Sequence, residues 1–320
     1  MVDVSAVLWT IHWPSQGTVL TFVESFKTWI ANHLSSAEVH LILDRYYDFS
    51  TKSSRPTRAA HVGKAGRSRV YKLTAKSPLP PRDAVLKCAA NKVQLNLIIC
   101  EQIVNAQDSL DKVTQDHRLF LSGVEPVPIV VNKGRKRGEI DLYSTHEEAD
   151  IRLVKHALWA CKTEDAEVCV VSDDTVVFAL LCYHYQRCGF SASLTMQSSV
   201  YGRACLDIPE TVKMHPAVIT QILAIYAISG CDTAAACYGI GKTTTVTIAK
   251  NSLGVVDVLW DDVVKETTEF MVAAYGGSGV TMSECRQCLW MAKDSQIHGC
   301  PCEHTLASTL WDSQAPIRMA

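Results

Sequence analysis

The 320-residue chain lacks several features that would each have assigned it a class. No run reaches the roughly 18 apolar residues of a membrane span, so a membrane role is not expected. The start, MVDVSAVLWT, has no basic stretch leading into an apolar core, so no secretory signal is read there and the expected site of action is intracellular, nuclear or cytoplasmic. Internal repeats and low-complexity segments are missing too, which excludes solenoids and fibrous arrays. The thirteen cysteines are scattered without a disulfide framework, as expected of a reducing compartment. Net charge is nearly absent, at -2, so nothing draws the whole molecule toward nucleic acid.

What the chain does have is an apolar fraction of 48% and a charged fraction of 20%, enough for a folded core and far from the composition of disorder. Its charge is also unevenly placed. From Phe49 to Arg82 there are nine Lys or Arg residues and no acid, and Lys133, Arg135, Lys136 and Arg137 make a shorter basic run. Between Ser50 and Pro81 the glycines, prolines and sparse apolar residues predict an exposed insertion.

Short apolar runs alternate with helical patterns, which predicts an α/β fold with a mainly parallel sheet. Strands are expected at 39–43, 127–131, 168–171 and 192–196. A helix is expected from Thr145 to Cys161, with Thr145 and Glu148 in capping-box form. Two of the strands end in acids: VHLIL runs into Asp44, and VCVV runs into Ser172, Asp173 and Asp174. In open α/β sheets ligands bind outside the carboxyl ends of the strands, so acids placed there are placed to meet.

Asp3, Asp44, Glu148, Asp150, Asp174 and Asp232 are the candidates. Gathered carboxylates repel one another unless a hard divalent cation offsets their charge, and an all-oxygen donor set suits Mg²⁺ or Mn²⁺. Each acid has an ordinary structural reading as well, Glu148 and Asp174 as helix caps and Asp232 as a turn residue in SGCDT.

Taken in order, MVDVSA, VHLILDRYYDF, THEEADIRLVKHA, VCVVSDDTVVFAL and AISGCDTAAACYGIGKTT resemble the flap-endonuclease family of PIN-like nucleases. The resemblance is to a divergent animal branch associated with multicopy or mobile genes, and it spans residues 1–250. It implies a three-layer PIN-like fold with an arch-like insertion at about 50–125 and a helical or irregular extension over 251–320. It also implies a metal-dependent endonuclease acting on DNA with a single-stranded flap or junction. By position, the six acids correspond to the family's metal-binding carboxylates, with Asp44, Glu148, Asp150, Asp174 and Asp232 also catalytic.

Lys52, Arg55, Arg58, Lys64, Arg67 and Arg69 occupy the place of the strand-receiving arch. Clustered cations of this kind gain affinity for phosphates through counterion release. Gly239, Gly241, Lys242 and Thr243, in GIGKTT, match the helical hairpin that grips duplex phosphates. A nucleotide-binding phosphate loop would need glycine at position 236, where Ala236 stands.

Two departures bear on activity. The family pattern Asp, any residue, Asp reads Asp174, Thr175, Val176 here, which weakens one of two expected ions and leaves catalytic competence open. The alternative is an inactive nucleic-acid-binding descendant. The first strand, with only Met1 and Val2 before Asp3, is expected to be cut short. Cys285, Cys288, His298, Cys300, Cys302 and His304 lack a regular zinc spacing, so zinc is not expected.

Overall fold

The computed structural model describes residues 1–45, 69–105, 117–123, 125–133, 135–163, 165–230, 241–251 and 272–273. They fall into two compact units, one of residues 1–178 with 190–208 and one of 179–189 with 209 onward.

The first unit is an α/β sandwich on an eight-stranded sheet. Its strands are β1 (Val2–Asp3), β2 (Val39–Ile42), β3 (Leu119–Ser122), β4 (Ile129–Asn132), β5 (Arg135–Gly138), β6 (Glu167–Val171), β7 (Ser193–Gln197) and β8 (Leu206–Asp207). Their spatial order is β5-β4-β3-β2-β1-β6-β7-β8. The five from β3 to β7 through β1 run parallel, and β4, β5 and β8 add antiparallel edges. β1 is indeed short, yet it pairs with both β2 and β6. The chain therefore builds outward from β1 in two directions.

Side-chain alternation fixes which face each strand presents. Val39, Leu41 and Leu43, with Leu119 and Leu121, face a core shared with helices α1 (Val4–Val7), α2 (Val19–Leu34) and α4 (Ala89–Val104). His40 and Phe120 face the other way, toward α5 (Ala149–Ala160). Helices thus cover both faces, making three layers.

α2 forms because Val19, Phe22, Val23, Phe26, Ile30 and Leu34 recur at helical spacing and bury together. A reciprocal Thr18–Thr21 capping box starts it.

Two expectations need correction. Residues 69–81 do not stand off as an exposed insertion: Leu73 is buried, Tyr71, Ala75 and Leu79 pack on the core, and Asn91 and Gln94 of α4 hold the backbone of Tyr71 and Leu73. Apolar residues at alternate positions, with backbone bonds to α4, outweigh the local richness in proline and lysine. The short α3 (Arg82–Leu86), α4 and β3 likewise lie within 50–125. Second, α5 begins three residues later than the Thr145 capping pattern suggests, with Glu148 at the N-cap and no side-chain cap bond. The basic run Arg135–Arg137 forms an exposed edge strand, where charges discourage further strand pairing.

The second unit contains the greater part of α6 (Thr175–Cys188) and of α7 (Ile208–Met214), together with α8 (Pro216–Thr220), α9 (Ile222–Ile228) and α10 (Lys242–Asn251). No helix among the described residues is long and apolar enough to cross a membrane.

Candidate functional site

The strand order places a switch point at β1, with β2 on one side and β6 on the other. The carboxyl ends of these three parallel strands carry Asp3, Asp44 and Asp174. α5 packs against β1 and β2 and brings Glu148 and Asp150 to the same edge. A backbone bond from Arg45 to the Glu147 carbonyl, 3.1 Å, ties its entry to the end of β2.

Asp150 lies at the centre of this group. Burial first, and then the charges of Asp174, Asp3, Glu148 and Asp44, push its carboxyl up to about 7. Coulomb terms of that kind fade quickly with distance and solvent, so five carboxylates share one neighbourhood. Asp3 is pushed up to about 6, by burial and then by Asp44, with Lys92 opposing.

Asp3, Asp174 and Asp44 also have ordinary partners. Asp3 caps α1 by accepting from the Ser5 N–H at 2.9 Å. Asp174 accepts from the Val176 N–H at 2.7 Å. Asp44 accepts from the Ser5 hydroxyl at 3.0 Å and pairs with the Lys92 ammonium at 2.9 Å. Among the described residues no three Asp, Glu, His or Cys side chains are set to ligate one ion together. The donor chemistry nevertheless suits Mg²⁺ or Mn²⁺, because the set is all oxygen and its negative charge is only partly offset. Common ligation would require Asp174 to turn from its helix and Asp44 from Lys92.

Asp173 lies next to this group but is held elsewhere. It accepts from the Ser198 and Ser199 hydroxyls, both at 2.5 Å, and from Arg203 at 3.1 Å. Burial alone would raise its pKa, but these bonds together bring it below the usual carboxylate value. It therefore does not replace the acid missing at Val176.

Sequence reasoning passed over Lys92 and two buried guanidinium groups. Arg45 donates to the carbonyls of Gly123 (2.9 Å), Ser144 (2.7 Å) and Glu125 (2.5 Å), clamping the loops that flank the site. Fully buried Arg152 donates to the Leu43 carbonyl, to the Ser122 hydroxyl at 3.3 Å and to the Glu147 carbonyl at 3.4 Å. Both arginines lie inside motif blocks, DRYY and HEEADIRL, and a charged residue at an apolar helical position was the available signal for Arg152.

The remaining candidates divide as follows. Lys52, Arg55, Arg58, Lys64, Arg67, Gly239 and Asp232, with the carboxyl-terminal cysteines and histidines, lie outside the described residues. Arg69 is exposed, with its guanidinium 5.1 Å from the Tyr71 ring centre. In the second unit Gly241 immediately precedes α10, and Lys242 and Thr243 form its first turn. Lys242 donates to the Gly230 carbonyl at 2.9 Å and sits 4.1 Å from the Tyr226 ring centre, while Thr243 is exposed. Comparison of the chain with family models, with curated proteins and with solved structures finds no match in any of the three.

Proposed function

We propose that this chain is a PIN-like, divalent-cation-dependent phosphodiesterase of the flap-endonuclease type, acting on nucleic acid, with one of two ion sites weakened. The observation that carries the reading is the meeting of Asp3, Asp44, Glu148, Asp150 and Asp174 at the carboxyl edge of the switch point, around an Asp150 that burial and its neighbours keep near neutrality. The ordered motifs support the same reading. Asp150, Asp174 and Glu148, with Asp3 and Asp44 beside them, would hold Mg²⁺ or Mn²⁺. Such an ion lowers the pKa of a bound water and offsets charge on the scissile phosphate. No residue is asked to act as a covalent nucleophile.

A second reading, an inactive nucleic-acid-binding descendant, is favoured by one observation: Val176 carries no ligand and Asp173 is engaged by Ser198, Ser199 and Arg203. One assay separates the two. Cleavage of a labelled single-stranded flap is followed against Mg²⁺ and Mn²⁺ for wild type, Asp174→Asn and Val176→Asp. Slow wild-type cleavage is expected, falling more than ~100-fold in Asp174→Asn and rising in Val176→Asp at a lower Mg²⁺ requirement. Cleavage indifferent to Asp174→Asn contradicts the proposal. Strand binding by all three proteins with no cleavage by any supports the second reading.

A further inference from the structure

Resting on the phosphodiesterase reading of the acidic edge, we infer that the β7–β8 loop is a base-stacking tip. In this inference Tyr201 takes an unpaired base of single-stranded nucleic acid, and Asp173 is the residue that positions the loop.

The register of the sheet locates the loop. β6 and β7 run parallel with Val171 opposite Gln197, and the Ser172 N–H donates to the Gln197 carbonyl at 3.0 Å. Ser198 therefore rises from the same carboxyl edge as the carboxylates, one strand over from Asp174, a spacing of about 4.8 Å. Three residues later, past a bend and at a turn, comes Tyr201, on the loop that leaves this same edge.

The loop is fastened at its root and bare at its tip. The Ser198 hydroxyl, the Ser199 hydroxyl and N–H, and the Arg203 guanidinium all donate to the Asp173 carboxylate, at 2.5, 2.5, 3.3 and 3.1 Å. The Ser198 oxygen in turn accepts from the Val200 N–H at 3.0 Å. Gly202, at φ +87° with open space where a Cβ would sit, turns the chain at the tip. Tyr201 is wholly exposed (103%), and the flanking Val200 and Leu206 are each 43% exposed.

A tip serving only to join two strands gains nothing from a ring left in water, and any small polar residue would close it. A ring held out by an anchored loop loses little further freedom when a base stacks on it. Every base offers a π face, so such a contact does not depend on sequence. Arg203 adds a cation two residues away. It is 62% exposed in its side chain, and a guanidinium carries five N–H donors, more than Asp173 takes up. An aromatic ring and a cation beside a negatively charged cleft suit a strand whose phosphate arrives with a divalent ion and whose adjacent base is unpaired.

The full chain tests this with Ca²⁺ in place of Mg²⁺, so that the strand is bound and not consumed. The probe is a single-stranded oligonucleotide carrying 2-aminopurine, whose fluorescence is quenched on stacking. Wild type is expected to quench it. Tyr201→Phe retains the quenching, Tyr201→Ala loses it and binds roughly tenfold more weakly, and Asp173→Asn gives an intermediate signal because the pair with Arg203 is broken. Since Tyr201 is bare of packing, the Ala variant leaves the melting temperature unchanged, which separates lost stacking from lost fold. Wild-type quenching and affinity in Tyr201→Ala overturn the inference alone and assign the tip to another macromolecule. Failure of the wild type to bind the strand overturns both this inference and the phosphodiesterase reading.

Discussion

Within one layered unit, Asp3 at the edge of β1, β2 and β6 and the imidazoles of His40 and His156 under α5 are buried, and the other carboxylates of that edge are half-buried. Burial drives Asp3, Asp150 and both imidazoles toward their neutral forms, upward for the two acids and downward for the bases. His40 Nδ1 meets His156 Nδ1 at 2.8 Å, so one ring donates and the other accepts, a pairing that needs the accepting ring neutral. His40 stacks on Phe120 at 3.8 Å between ring centres, and Trp159 closes the cluster. Burial beside the Arg152 guanidinium holds His156 in its neutral form there. At the acidic edge five carboxylates are kept together with Lys92 as a nearby cation, an arrangement with no packing advantage. The contrast separates an edge whose carboxylates keep a cation beside them from an imidazole pair packed among aromatic rings.

Opposite pKa directions give the two regions opposite pH signatures, and the larger effect belongs to the histidines. His156 is pushed down to about 3, by burial and then by Arg152, and His40 lies well below its ordinary value. The unfolded chain takes up protons as pH falls through about 6.5, while the folded chain refuses them until near 3. Stability from this pair is therefore complete above about 6.5 and lost on acidification. Urea melts are expected to show roughly 3 kcal/mol less stability at pH 4 than at pH 6.5 from His156 alone. A His156→Gln variant, which cannot titrate, starts less stable but loses that part of the slope. An unaltered acid slope in the variant would erase the distinction drawn here.

The acids run the other way. With Asp150 raised to about 7 and Asp3 to about 6, the folded protein holds protons that the unfolded chain releases near pH 4. In chelator the site's contribution is complete below about pH 4 and declines as pH rises toward 7. Asp150→Asn removes that loss, and because the carboxyl is partly solvated a gain of about 2 kcal/mol at pH 7.5 is expected, with little change at pH 4.5. Equal effects at both pH values would mean that Asp150 acts through packing and not through charge.

Much of this was legible in the sequence. The strands ending at Asp44 and at Asp173 and Asp174 emerged from apolar runs stopped by acids, and the parallel reading followed. β3, LFLS, was missed because three apolar residues preceded by His117 and Arg118 give no period. The packing of Leu73 and Leu79 was hidden by prolines and lysines whose conformations are set by α4 and by the start of α2. The five-carboxylate gathering could be expected only from motif order, since residues 3, 44, 148, 150 and 174 meet through topology. Lys92 gave no local signal: its significance comes from the helix that carries it to Asp44.

The most direct test of the acidic edge is the melting temperature of the full chain in chelator and in millimolar Mn²⁺, at pH 5.5 and 7.5, for wild type and Asp150→Asn. A ligand that binds only the folded state raises that temperature, the more so the further its concentration exceeds its dissociation constant. Ligation also requires deprotonated carboxylates, so occupancy falls below their raised pKa values. The account predicts a clear Mn²⁺ stabilisation of wild type at pH 7.5, a smaller one at pH 5.5, and almost none in Asp150→Asn at either. Mn²⁺ stabilisation that is the same in both proteins, or none in the wild type at pH 7.5, would contradict it.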